Sequence, residues 1–574
     1  LNEIAVTDMD NVQVAQIFSE LADLLELQGE DPFKVAAYRR VARSINGLNE
    51  DIITLWREGR LEEIPGVGKA ISKKIDEILR TGSLELLERT KSQVPVELLD
   101  IMRVPLVGPK TARQLFYHYD VRSRRDLIAK LENGTLVRRG FSQKIAKRIL
   151  DALMKMGESA NRMLLVEGLH HAITMKSFLE EKTSMTIQIC GSIRRGKETV
   201  GDVDMVAIGS RGSTLLDIAN VLPPSGKFIA KGEDKLSWVS EKHVQYDFRF
   251  ATRENIGSML LYFTGSKEHV VKLRSIAQKK GYKLNEYGLF DAAGRLVAST
   301  SEPDIYASFG MAYVEPELRE DMGEIEAAAE GRLPTLVKYE DIKGDLHVHT
   351  NWSDGADNLE TMIKTAEAFG YSYVVFTDHS KSERVANGMD EERILRQARE
   401  IDTLRKHHPQ IQILHGSEVD ILRGGKLDYT QDVLSALDYV VASLHKRFAP
   451  DPDVLTEAVL NALENRYVDT LGHPTGRLLG KRGENGVDLT KVIDKARKCG
   501  KWLEVDGQPR RMDLPSAWVK KAVEEGVKLV LSSDSHSTYE MSYMRFAVTN
   551  ARRGWAGSSD VVNTRKAFAS TRDT

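Results

Sequence analysis

Beyond residue 340 the chain repeats one pattern six times: a short apolar run ends on a side chain able to bind a metal. GDLHVH ends at His347 and His349, with Asp354 just beyond, and YVVFTDH ends at His379. IQILHGSE ends at Glu418, YVVASLH at His445, YVDTLGH at His473, and VKLVLSSDSH at Asp534 and His536. KWLEV, residues 501–505, is a seventh run, and it carries no residue assigned as a ligand. Helical segments intervene at 358–369, 391–407 and 516–525. Short apolar runs alternating with helices read as parallel strands, whose C-terminal ends converge on one mouth. The expectation for residues 342–574 is therefore a β/α barrel with its chemistry at the top.

Nine of the fourteen histidines lie in this region. A single histidine after a strand is ordinarily a core residue, but six such strand ends carrying His, Asp and Glu point to a metal cluster. Nine nitrogen and oxygen donors suffice for up to three ions. Mixed imidazole and carboxylate shells suit Mn²⁺, Zn²⁺ or Fe²⁺ without choosing among them. Ions so held activate water and neutralise phosphate, which implies phosphoester hydrolysis.

A different chemistry is written at Gly191–Asp204, GSIRRGKETVGDVD. A short apolar strand, 186–190, delivers Gly-Ser to its end, where bare N–H groups can approach a phosphate beside Arg194 and Arg195. Asp202 and Asp204 are two residues apart, so an extended strand points both to one face, opposite Val203 and Met205. In VQYDFRF the alternation puts Asp247 on the face away from Val244, Tyr246, Phe248 and Phe250. Three acids beside a phosphate loop imply two-metal nucleotidyl transfer.

At 574 residues several domains are expected. Hydrophobic content of 41% and charged content of 29% are ordinary for a water-facing globular chain. No apolar run approaches the roughly 20 residues of a membrane span, and the N-terminal stretch lacks a signal-peptide pattern. Cys190 and Cys499 make no disulfide framework, so a reducing cytoplasm is the expected compartment. The net charge of −3 hides opposite local biases. Residues 101–150 hold twelve Lys and Arg against three acids, and 311–345 hold ten acids against four bases. The basic front fits a nucleic-acid partner.

That front is read as short amphipathic helices, with Val14, Phe18, Leu21 and Leu25 at helical spacing. IPGVGKA, with Gly66 and Gly68, precedes the helical ISKKIDEILR. A Gly-x-Gly turn aims backbone amides at a DNA phosphate without reading sequence. A second copy is VPLVGPKTA, with Gly108 and Lys110, and a looser third is RRGFSQKIAKRI, 138–149. The repetition strengthens the DNA-binding reading.

The motif GS-x-R-R-G…G-D-x-D resembles the nucleotidyltransferase core of family X DNA polymerases of the beta type. DPFKVAAYRR, IPGVGKAISKKIDE, VPLVGPKTA, SMLLYFTGSKEH and LNEYGLF extend the resemblance over residues 1 to about 320. DLHVHTNWSDG, TDHS, GSE, SLH, GHP and SDSH resemble the PHP domain (polymerase and histidinol phosphatase), a seven-stranded barrel. Together they resemble the bacterial branch of family X that carries both. The resemblance implies a small helical domain with a helix-hairpin-helix over 1–85, fingers over 86–160 and an α+β palm over 161–255. A thumb over 256–318, a linker over 319–341 and a distorted (β/α)7 PHP barrel over 342–574 follow.

It further implies that Asp202, Asp204 and Asp247 hold catalytic Mg²⁺ or Mn²⁺. Gly191, Ser192, Arg195, Gly201, Tyr262, Phe263 and Gly265 would bind a deoxynucleoside triphosphate. Gly66, Gly68, Gly108 and Lys110 would grip gapped or nicked double-stranded DNA, and Lys74 falls at the family's Schiff-base lysine. In the barrel, His347, His349, Asp354, His379, Glu418, His445, His473, Asp534 and His536 would ligate Mn²⁺ or Zn²⁺. Lys381, Arg384, Lys446 and Arg447 stand just after ligand-bearing strand ends and are candidate phosphate contacts by that position. The implied function is gap-filling synthesis in base excision repair by a monomer, with 3′–5′ exonuclease, AP endonuclease and a lyase activity. Leu106 replaces a hairpin glycine and Val270 an asparagine of the family, which keeps open a nuclease whose front half only binds DNA. A small-molecule phosphatase tethered to DNA is the other alternative.

Overall fold

The computed structural model describes residues 11–46, 48, 52–95, 98, 101, 107–150, 162–210, 213–445 and 451–572. Leu106, Lys446 and Arg447 lie outside the described residues. The chain divides into two compact units, Leu1–Asn161 and Arg162–Thr574.

The first unit is helical. In α1 (Asn11–Gln28), the predicted stripe of Val14, Phe18 and Leu21 is fully buried, with Leu25 nearly so. Helix α2 (Pro32–Asn46) packs on it. A single apolar core runs from Val14 to Ile149, so the segments assigned to 1–85 and 86–160 share it. Gly66, at φ +88°, opens the turn into α3 (Lys69–Thr81), and Gly68 caps that helix. Gly108 caps α4 (Pro109–Tyr117), whose first residue is proline, the position where the missing N–H costs nothing. Gly66, Gly68, Gly108 and Lys110 are all exposed, and Gly140, at φ +92°, precedes the third copy's helix over 143–150.

The second unit begins with α5 (Leu165–Thr183) packed on a five-stranded sheet. Its strands are β1 (Thr186–Ile189), β2 (Val203–Ile208), β3 (Lys227–Lys231), β4 (Leu236–Val239) and β5 (Gln245–Ala251), in the order β1-β2-β5-β4-β3. As the alternation predicted, Val244, Tyr246, Phe248 and Phe250 are buried, leaving Asp247 on the other face. Helices α6 (Ile256–Thr264), α7 (Lys267–Lys279) and α8 (Glu302–Ser308) follow, with a three-stranded antiparallel ribbon between α7 and α8.

Residues 319–341, expected as a linker, form a packed joint. They include α9 (Glu324–Ala329), and Ile325, Ala328 and Leu336 enter the same core as Leu273 and Tyr306. Arg319 is wholly buried, with its charge met by Glu302 at 2.6 Å.

The remainder is a seven-stranded parallel sheet in chain order: β6 (Gly344–Val348), β7 (Tyr373–Phe376), β8 (Gln412–Asp420), β9 (Tyr439–Ser443), β10 (Thr470–Leu471), β11 (Trp502–Asp506) and β12 (Leu529–Ser532). A bridge between Val348 and Ser535 brings the last strand back to the first. Asp345 strengthens this seam by accepting hydrogen bonds from the backbone and side chain of Ser533. The final helix, α10 (Met544–Arg553), faces two ways: Ala547, Val548 and Ala551 enter the barrel core, and Phe546 enters the core of the five-stranded sheet. Among the described residues, no helix is long and apolar enough to cross a membrane.

Candidate metal centres

The parallel register of β2 and β5 sets Asp204 directly beside Asp247. Asp202 is in the turn before β2, a shift from its expected place on the strand. Thr199–Val200 pairs with Met163–Leu164, and the chain bends at Gly201 before β2 starts. Ligand oxygens of the three acids nevertheless come within 4.8 Å of one another. Gly191, at φ +62°, is required twice, since a Cβ there would also overlap the Asp204 carboxylate. Asp247 is oriented by the Ser237 hydroxyl and by Gln245 Nε2 at 3.2 Å.

Burial, then the nearby charges of Asp202 and Asp247, pushes the Asp204 carboxyl up to about 7. Burial and Asp247 likewise raise Asp202. Carboxylates forced together in this way fit a divalent cation, which would relieve the repulsion.

Asp202 and Asp204 open onto a cavity of about 550 Å³. Gly191, Ser192, Arg195, Gly201, Tyr262, Phe263 and Gly265 all line it, and Val270 sits in its wall. Sequence reasoning missed Arg162 and Arg274, which add positive charge there. Neither lies in a recognisable motif. The Arg195 guanidinium is held by Glu320 at 2.9 Å and by the Thr264 carbonyl. Tyr262 and Phe263 meet edge to face at 5.2 Å, and Arg249 lies over Phe263.

In the barrel, all nine predicted ligands gather at the C-terminal ends of the strands. Glu418, wholly buried on the long β8, is the hub. Its carboxylate is 3.0 Å from His379 Nδ1, 3.0 Å from His445 Nε2, 2.7 Å from His473 Nε2 and 3.4 Å from His347 Nε2. Asp534 is 3.2 Å from His349 Nε2. Asp354 is 3.6 Å from His379 and 3.4 Å from His536. Four overlapping donor sets result: His349, Asp354, His379 and His536; His347, His349 and Asp534; His379, Glu418 and His445; and Glu383, Asp420 and His445.

Among the described residues, His347 Nε2 and both ring nitrogens of His349 are buried without a hydrogen-bond partner. Buried imidazole nitrogens left unpaired, with Nε2 of His347 and His349 facing Glu418 and Asp534, fit the donor set of a multinuclear metal centre. Backbone strain marks the same place, with His473 at φ +23° and Asp534 at φ +48°.

The seventh strand does contribute. Glu504 on β11 accepts from His347 Nδ1 at 2.6 Å, from the His473 N–H at 2.6 Å and from Ser532 at 2.6 Å. It fixes the tautomer of one ligand and the position of another. Asp420 does the same for His445 Nδ1 at 2.6 Å. Both were illegible as supports because their partners are distant in sequence. Arg511, also missed, lines the metal cavity, with Nε 3.5 Å from Asp534. Of the cations expected to face phosphate, Lys381 is paired with Glu391 and Arg384 is exposed.

Lys74 places its Nζ 3.5 Å from the Ala70 carbonyl of its own helix. A cavity of about 540 Å³ beside that helix is lined by Lys73, Trp56, Arg57 and Arg80, among others.

Fold and centres define a polymerase-type nucleotidyltransferase joined to a metal-dependent phosphoesterase barrel. Family models agree: a helix-hairpin-helix domain matches residues 9–84, a SAM-like helix-hairpin-helix tandem 97–155, a DNA polymerase beta thumb 259–320 and a PHP domain 345–505. The chain is 34% identical to the DNA polymerase/3′-5′ exonuclease PolX of Bacillus subtilis (strain 168), over 97% of this chain and 98% of that protein. This chain belongs to the PolX family. It is also 25% identical to DNA polymerase lambda of Rattus norvegicus, over 54% of this chain and 56% of that one. A probable phosphatase of Thermoanaerobacter sp. (strain X514) matches 38% of this chain at 29% identity, over 89% of its own length.

Proposed function

We propose that this protein is a DNA repair enzyme that extends 3′ ends at short gaps from deoxynucleoside triphosphates and removes nucleotides from 3′ ends in its barrel. The observation that carries this reading is the presence, in one chain, of two separate clusters of metal-ligating side chains, each opening onto its own cavity. DNA and deoxynucleoside triphosphates are the substrates, and both reactions depend on divalent metal. The ions supply charge neutralisation and an activated oxygen nucleophile at neutral pH. Asp202, Asp204 and Asp247 would hold Mg²⁺ or Mn²⁺, and the nine barrel ligands would hold Mn²⁺ or Zn²⁺, up to three ions.

In the polymerase cavity, Ser192, the backbone of the Gly191–Arg194 turn and Arg195 bind and orient the triphosphate. Tyr262 and Phe263 press on the sugar edge and exclude a 2′-hydroxyl, while Gly201 and Gly265 leave room for the triphosphate. In the barrel, Glu504 and Asp420 keep His347 and His445 with Nε2 facing the centre. Arg511 binds the phosphodiester that enters the cavity. The same barrel would incise at abasic sites. The exposed Gly-x-Gly turns of the first unit would grip a gapped or nicked duplex, and the protein would work as a monomer. Two free thiols, Cys190 and Cys499, suit a reducing compartment such as the cytoplasm.

Primer extension in Mn²⁺ tests the polymerase reading. Incorporation into a one-nucleotide gap bearing a 5′-phosphate is expected to exceed that on an open template by about tenfold, through the extra phosphate contacts. Equal rates reject the gap preference, and no incorporation on either substrate leaves the front half a DNA-binding module. For the lyase reading, borohydride should trap the protein on an incised abasic strand, and Lys74→Ala should abolish the adduct. Trapping that survives this substitution assigns the imine to another lysine.

A further inference from the structure

The nucleotide arginine of the polymerase cavity is held by the barrel. Glu320, in the packed joint, is a shared acceptor: Oε1 takes Arg195 Nε at 2.9 Å and Arg553 Nη1 at 3.2 Å, and Oε2 takes Lys197 at 3.3 Å. Arg553, the last residue of α10, also donates to the Arg195 backbone carbonyl at 2.8 Å. Its side chain is only 6% exposed, and those of Arg195 and Glu320 are 13% and 15% exposed. The contact is built into the backbone as well. Gly196, at φ +65°, lies so close to α10 that a Cβ there would overlap the Thr549 side chain.

We propose that Arg553 and Glu320 are positioning residues for nucleotide binding: Arg553 of the barrel holds the Arg195 backbone directly and orients its guanidinium through Glu320 of the joint, pre-set for the triphosphate. Two acceptors, Glu320 and the Thr264 carbonyl, fix the Arg195 side chain. A long arginine otherwise loses rotamer freedom when it engages a phosphate, and fixing it beforehand removes that loss from binding. Glu320 alone would neutralise Arg195 and compete with the phosphate. Burial would raise its carboxyl, but Arg553, Arg195 and Lys197 outweigh that and hold it ionised below its usual range. With three cations around one carboxylate, the cluster keeps net positive charge facing the nucleotide. Helix α10 rests on β11 and β12 of the barrel, so the polymerase half depends for this residue on a domain with its own active site.

The inference rests on the assignment of Arg195 to the triphosphate, and the two fail separately. In the full-length protein, Arg553→Gln is expected to raise the KM for the incoming deoxynucleotide about tenfold with kcat within about twofold, the pattern of lost ground-state positioning. Glu320→Gln should do the same, and the double variant should be no worse than either single one. Arg195→Ala serves as the reference. An unchanged KM there removes the triphosphate assignment. A raised KM there, with an unchanged KM in an Arg553→Gln protein that melts like its parent, rejects the positioning role alone. Should Arg553→Gln fail to fold, Glu320→Gln decides, and an unchanged KM rejects the proposal.

Discussion

Replacement of Asp204 by Asn is expected to lower nucleotide incorporation by at least about 10³-fold while raising the melting temperature of the chelator-treated protein. The first effect follows from removing one of three clustered acids at the point where phosphoryl charge develops. The second follows from electrostatics. In the folded chain the Asp204 carboxyl is pushed up to about 7, against about 3.9 in an unfolded one. A raised carboxyl destabilises the fold progressively as pH climbs from about 4 to 7 and costs its full amount above that. At pH 8 without metal, Asn should therefore gain about 4 kcal/mol relative to Asp204. At pH 3.5, where Asp204 is mostly protonated in both states, the gain should nearly vanish. Single-nucleotide incorporation and calorimetry at both pH values check the pair, and wild-type incorporation by the Asn protein would sink the polymerase assignment.

Replacement of Glu418 by Gln is expected to do the opposite at the other centre: 3′–5′ exonuclease falls by at least about 10³-fold, incorporation persists, and the metal-free protein loses about 3 kcal/mol. Glu418 is the anion around which the imidazoles collect. Burial works against a charged His445, but Glu418 and Asp420 overcome it and push the ring up to about 10. His536 is pushed up to about 9 by Asp354 and Asp534 in the same way. A histidine raised from about 6.5 contributes stability that is complete below that pH and is lost as pH rises through the folded value. Metal-free wild type should therefore weaken between about pH 7 and 10, and Glu418→Gln should flatten that profile. Since ions displace those protons, metal uptake near pH 7 should release them. An exonuclease indifferent to Glu418, or a pH profile unaltered by its loss, would overturn the barrel assignment.

The strand-end ligands and the acids at 202, 204 and 247 were legible because their residue types are rare in apolar runs and their spacing follows the periods of strand and loop. His347 and His349 flank one buried valine, and a strand of that pattern has only one way to face a core. The alternation in VQYDFRF fixed the face of Asp247 for the same reason. Sequence thus decided which donor residues exist and on which strand face Asp204 and Asp247 stand, whereas Asp202 falls in the turn before β2.

What tertiary structure alone decided is how those donors are completed. The β2–β5 register sets Asp204 beside Asp247, 43 residues further along the chain, a pairing that no local pattern encodes. Glu504 looked like an unassigned strand residue until His347 and His473 came to it, and Arg511 gained its place only where the barrel ends enclose the ligand cavity. Arg553 stands at a helix end and Glu320 in an acidic stretch, and no motif marks either. They are separated by 233 residues, and only packing α10 against the Gly196 turn buries them together. Coulombic pairing of this kind depends on distance in space and on exclusion of water, and neither quantity is a function of local sequence.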